Sequence, residues 1–205
     1  MSEPARFQGL VKIPAVPAAK IVAAHQVRLK TKIEAPAAAS VGEVLAELDA
    51  KGAQSDVFHL LAHALPPREA VWWACLGARD MYPADGSEQP KTLTTAEAWV
   101  FGPSEETRQA AREALDNAAP GDKTKLCAMA AAMSDGKLGP GELAEYDAPP
   151  GATGAAVFGM VTKALYSDKA QAPMRQSLYL DRALDIARGG NGRPEQQQVA
   201  GGAHG

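Results

Sequence analysis

FHLLAHALPPREAVWWACLGAR, residues 58–79, decides the fold class. Two apolar-periodic segments are joined by Pro66-Pro67, and each has the three-to-four spacing of a helix with one buried face. Proline cannot continue the first helix, because it lacks an amide donor and its ring clashes with the preceding turn, yet it suits the first position of the next one. The stretch therefore predicts a helical hairpin with its elbow at the double proline. In the second arm the neighbouring Trp72 and Trp73 lie about 100° apart around the helix axis. One belongs in the core and the other at a boundary or an interface.

Outward from this hairpin, the same punctuation recurs. Ser40-Val-Gly-Glu43 has the spacing of a capping box, so a helix runs from there to about Lys51 and stops at Gly52. Ser55 is the expected cap of the helix that ends at the elbow. Thr94 or Thr95 opens a short helix through Trp99 and Phe101, closed by Gly102-Pro103, and Ser104 caps residues 105–118. The small residues Ala110, Ala111 and Ala114, with Leu115, form the inward face of that helix, against which Trp99 and Val100 should pack. Asp122 is the expected cap of a helix ending at Asp135-Gly136, and two last helices span about residues 153–167 and 172–188. These signals predict an all-α, compact single domain of six to eight helices over residues 40–190.

The flanks read differently. Residues 1–39 carry prolines at 4, 14, 17 and 36, which forbid a continuous helix, and are expected to be an extended or mobile arm. Within residues 1–40 there are six Lys/Arg against two acids, whereas the remainder has fifteen against twenty-two, so a basic arm precedes an acidic body. Val27, Leu29, Thr31 and Ile33 alternate with Arg28, Lys30, Lys32 and Glu34, the pattern of a strand with one buried face. An all-helical body offers no sheet to such a strand. Residues 26–34 are thus expected either to dock on a partner or a second copy, through Val27, Arg28, Leu29, Lys30, Lys32 and Ile33, or to lie in a groove of their own domain. Residues 191–205, rich in Gly and Gln, read as a disordered tail.

The net charge of −3 gives no general attraction to nucleic acid or to anionic lipid, and the arm lacks the aromatic interleaving of a nucleic-acid binder. Nor is any apolar run long enough for membrane insertion, and Lys12, Pro14, Pro17 and Lys20 interrupt any signal-peptide core. Cys75 and Cys127 lie in apolar helical patterns without CxxC spacing, the usage of buried reduced thiols in a cytoplasmic protein.

Catalytic signals are sparse. Asp56, His59 and His63 share one face of a helix by their spacing and could offer metal ligands, but Leu60 stands where HExxH requires its glutamate. The bland alternative has one histidine bonded to a carbonyl and the other at the surface. Gly136-Lys137-Leu138-Gly139-Pro140-Gly141 lacks phosphate-loop spacing, and no GxSxG elbow places a serine. Arg68 and Trp72, one turn apart on the second arm of the hairpin, are candidates for holding a protein partner; the competing reading is an ordinary first turn with Glu69 complementing the helix dipole.

Three blocks, LAHALPPREAVWWACLGAR (61–79), AEAWVFGPSEETRQAA (96–111) and LDIARGG (184–190), resemble in this order an uncharacterised all-helical bacterial family found in type VI secretion gene neighbourhoods. The resemblance covers about residues 43–190 and leaves out the basic arm. It implies an all-helical fold and a secretion-apparatus context, and it transfers no catalytic residue and no cofactor. Together with the missing catalytic motifs it implies a non-enzymatic cytoplasmic accessory or adaptor that binds a protein component of the apparatus. The alternative is a small metal-binding protein or enzyme centred on Asp56, His59 and His63.

Overall fold

A computed structural model describes residues 3–82 and 88–193. Helix α5 (Pro67–Arg79) lies at its centre, and its face of Ala70, Val71, Trp73, Ala74, Cys75, Leu76 and Ala78 is buried. The elbow is as expected: α4 (Gln54–Ala64) ends before Leu65, Pro66 has extended backbone, and Pro67 is the first residue of α5. Trp73 is 1 % exposed and donates its indole N–H to the Tyr179 carbonyl at 3.0 Å, while Phe58 meets its ring edge-on. Trp72 is only half-buried, so the two tryptophans divide between core and boundary.

Around α5 stand α9 (Ala152–Leu165), α6 (Lys91–Phe101), α8 (Lys125–Ala132), α10 (Ala172–Ala187) and α4. Gly77 permits the close approach on one side, because a Cβ there would already touch Ala164 and the Tyr179 ring. α7 (Glu105–Asp116) packs on α6 and α8, and α3 (Val41–Ala50) packs on α4. Among the described residues the body therefore contains eight α-helices and no sheet; two isolated bridges, Pro17 with Ser40 and Lys137 with Asp147, are its only β pairing. Cys75 and Cys127 are buried free thiols, and burial, with Cys127 as neighbour, pushes the Cys75 thiol up.

The caps agree in part with the sequence reading. Ser40 and Glu43 form the reciprocal capping box, and Ser104 caps α7 with Thr107 as its reciprocal partner. The other three starts need correction. α4 begins at Gln54 without a side-chain cap, one residue before Ser55. α6 begins at Lys91 behind Pro90, with the hydroxyls of Thr94 and Thr95 bonded back to the Lys91 carbonyl instead of capping. α8 begins behind Thr124, whose amide Asp122 accepts at 2.7 Å, so Asp122 fixes the turn before the helix.

The largest departure is the N-terminal segment. It contains a single helical turn, α1 (Glu3–Arg6), and a short helix, α2 (Ala18–Ala24). Phe7, Ile13, Ala18, Ile21 and Ala39 are buried in the same core as the body, and Val27 is buried too. Rather than a mobile arm, residues 5–39 form a strap packed across the domain, because their spaced apolar side chains find a common surface on α3, α4 and α10. Gly192, counted with the tail by composition, is likewise buried: a Cβ on it would collide with Leu76 and Ile186. The rest of the expected disordered tail, residues 194–205, lies outside the described residues. No described helix is long and apolar enough to cross a membrane.

Candidate functional site

Helical spacing does bring Asp56, His59 and His63 to one side of α4, but they engage different things. Asp56 is 3 % exposed, and its carboxylate accepts the amide of Lys30 (3.1 Å to each oxygen) and that of Thr31 (2.8 Å). Glu47 on α3 does the same for the amides of Glu34 (2.7 Å) and Ala35 (2.8 Å). Burial pushes the Asp56 carboxyl up, but the Thr31 side chain and the two amides outweigh it and hold the pKa below the ordinary value.

These contacts correct the strand assigned to residues 26–34. The segment starts from a turn with Gln26 in a left-handed conformation, bends at Lys30 and Thr31 and pairs with no strand; the amides of Lys30, Thr31, Glu34 and Ala35 are held by two carboxylates. Val27 is buried, and Leu29 and Ile33 pack on the core, so the apolar half of the proposed docking set is occupied within the chain itself. Of that set Arg28, Lys30 and Lys32 are exposed. Of the two alternatives left open by the sequence, the packing of Val27, Leu29 and Ile33 is that of a segment lying on its own domain, with Arg28, Lys30 and Lys32 facing outward.

His59 stacks on Phe158 of α9, with ring centroids 4.3 Å apart and planes 15° from parallel. Its other neighbour is His63, at 5.2 Å, and His63 in turn faces His25, just past the end of α2, at 5.5 Å. His63 is 6 % exposed. Two glycines make its place: a Cβ on Gly154 would land in the imidazole, and one on Gly151 would lie 2.9 Å from its Cε1. Gly151 also has φ of 71°, a left-handed conformation suited to glycine at the start of α9. Burial, then the nearby His59 and His25, lowers the His63 pKa to about 4, so the ring is neutral at pH 7. Burial likewise lowers that of His59, against the pull of Asp56. Among the described residues no group of three or more His, Cys, Asp or Glu side chains is arranged to hold a metal ion.

His63 and His25 line a cleft of about 480 Å³ bounded by α2, the Pro66-Pro67 elbow and residues 148–154. Sequence reasoning found His63 but missed His25, Gly151 and Gly154. They are remote along the chain, and no local pattern relates them.

The second candidate pair, Arg68 and Trp72, lies on one surface. Arg68 donates from Nε to the Val100 carbonyl at 2.6 Å, and Trp72 donates its indole N–H to the Asn191 carbonyl at 2.7 Å. Phe101, at the end of α6, is 69 % exposed and meets the Trp72 ring edge-on at 5.3 Å; the Arg193 guanidinium lies 5.4 Å from the centre of the same ring. Lys12 and Glu69 complete a shallow hollow beside them. Phe101 and Arg193 were not singled out by sequence, where Phe101 is simply the last apolar residue of a short helix.

Among known proteins, no curated protein and no solved structure matches the chain. A family model does, over residues 44–187, which takes in every helix from the body of α3 to the end of α10. The strap that packs across those helices lies outside the match. The chain thus belongs to DUF6931, a family of unknown function.

Proposed function

We propose that the protein is a non-enzymatic cytoplasmic accessory or adaptor of a bacterial type VI secretion apparatus, acting by binding a protein component of it. The observation that carries this reading is the surface around Phe101. A large aromatic side chain stands out of the last turn of α6, braced by Trp72, with Arg68, Arg193 and Lys12 around it. Aromatic and arginine side chains dominate the energetics of protein interfaces, since they bury much area with few rotatable bonds and add directional donors. Lys12 is paired with Glu69, which leaves Arg68 and Arg193 in excess and favours a partner with an acidic, partly apolar surface. The secretion context rests on the three motif blocks that resemble proteins from such gene neighbourhoods.

Affinity capture of the full-length chain from cells that assemble the apparatus, read by mass spectrometry, tests this. Enrichment of an apparatus component by the wild type, and its loss with Phe101→Asp and Arg68→Glu, is the expected result. Capture of no apparatus component, or capture unchanged in both variants, refutes it.

A further inference from the structure

The cleft beneath the elbow has a composition that the adaptor reading does not use. Most of its lining is apolar, including Pro14, Val16, Ile21, Leu65 and Met133. Four buried polar atoms around it have no hydrogen-bond partner in the protein: both ring nitrogens of His63, Nδ1 of His25 and Oγ of Ser134. Buried polar atoms are nearly always satisfied, and a cavity of this size, mostly apolar with a few converging polar groups, is the ordinary form of a small-molecule site. The charge balance of the lining selects the ligand. It includes no Asp or Glu, and its ionisable side chains are Lys20, His25 and His63, all of which can only become positive.

We propose that this cleft binds a small organic acid, whose apolar body lies against the proline-rich wall and whose carboxylate is received by His63, with Ser134 and Lys20 in the same lining. A neutral imidazole has one N–H to donate to a carboxylate, and the added negative charge then favours a second proton on the ring. Binding at neutral pH should therefore raise the His63 titration midpoint. The other groups facing His63 are His59 on its own helix and His25 beyond α2; Asp56 and Lys30 act on His59, and the glycines at 151 and 154 present no charge from the α9 side. This inference stands apart from the adaptor reading and does not need it.

Octanoate is a suitable probe, with octanol and octylamine as neutral and cationic counterparts of the same length. Isothermal titration of the full-length protein at neutral pH should show saturable octanoate binding, about tenfold or more tighter than octanol, and none for octylamine. Lys20→Ala and Ser134→Ala, neither a core aliphatic position, should each weaken octanoate while leaving the circular dichroism spectrum unchanged. Side-chain nitrogen NMR should show the His63 midpoint rising when octanoate is present. The proposal is overturned if octanoate does not bind, if octanol or octylamine binds as tightly, or if octanoate binding survives both variants and leaves His63 unmoved.

Discussion

Acidification should destabilise this protein through His63 well before its carboxylates are neutralised. The ordinary imidazole value is 6.5, and in the folded chain burial, followed by His59 and His25, holds His63 at about 4. The unfolded chain thus takes up a proton below pH 6.5, whereas the native state declines it until about pH 4. Stability is present in full above the unfolded value, falls through the interval and levels off near the folded one. At about 1.36 kcal/mol per pH unit, the loss reaches roughly 2.5 kcal/mol by about pH 4.5, a substantial part of the ~5–15 kcal/mol typical of a domain. Asp56 acts in the same direction but in a lower window: its depressed pKa gives stability that is present above 3.8 and is lost only as the pH falls further. Urea denaturation of the wild type and of His63→Gln, from about pH 7.5 down to about pH 4.5, separates the two effects, since glutamine cannot titrate. The wild type should lose about 2.5 kcal/mol more than the variant over that range. Two curves that fall in parallel, to within about 0.5 kcal/mol, would refute the reasoning, because they would mean that His63 takes its proton as easily in the native state as in the unfolded one.

Asp56→Ala removes the acceptor for two amides of the strap, and at about 1.5–3 kcal/mol for each hydrogen bond to a charged group the variant should lose about 3–6 kcal/mol, while trypsin cuts native protein faster at Arg28, Lys30 and Lys32. Deletion of residues 1–35 should lower stability still more, by exposing the core surface beneath Phe7, Ile13 and Ile21; an unchanged urea midpoint in either protein would show that the strap is not part of the domain. Trp99, 5 % exposed, is part of the core on α6, so Trp99→Ala should lower stability by about 3–5 kcal/mol, and an unchanged melting temperature would place that ring in solvent.

The eight helices of the body were legible because each is bounded by local chemistry: a Ser-x-x-Glu box, a Gly stop, the double proline. Where a start was misplaced, as at Ser55 or Thr94, a plausible capping residue stood one turn or less inside the true end. Residues 26–34 were misread for a deeper reason. Alternation of Val27, Leu29, Thr31 and Ile33 with charged residues records that the chain has one covered face, and it records neither its bends nor what satisfies the amides. A neighbouring strand and a pair of carboxylates impose the same pattern. Asp56 was noticed as a ligand candidate, yet its acceptors face backbone 25 and 26 residues away, a relation with no local signature. The site around His63 fails on the same ground: the i, i+4 pair was visible, but His25 and the two glycines join it only through the tertiary fold. Gly192 and Asn191 were assigned to a tail by composition, although a few specific contacts suffice to fix them.

The strap crosses from one end of the chain to the other. Arg6 pairs with Asp181 at 2.8 Å, Arg188 donates to the Arg6 carbonyl, and the Lys12 amide donates to the Ala187 carbonyl at 2.8 Å. On the ribosome the partners at 181–188 emerge after α3 to α9, so residues 6–12 can meet α3 early but cannot make their bonds to α10 until that helix is made. Joining them closes a loop of some 175 residues, an entropy debt that grows only slowly with length but must be met before any contact repays it. Assembly should accordingly finish at the seam between residues 6–12 and α10: the nascent body collects its helices in order, and this seam closes as a late latch, vulnerable to proteases until α10 has left the exit tunnel.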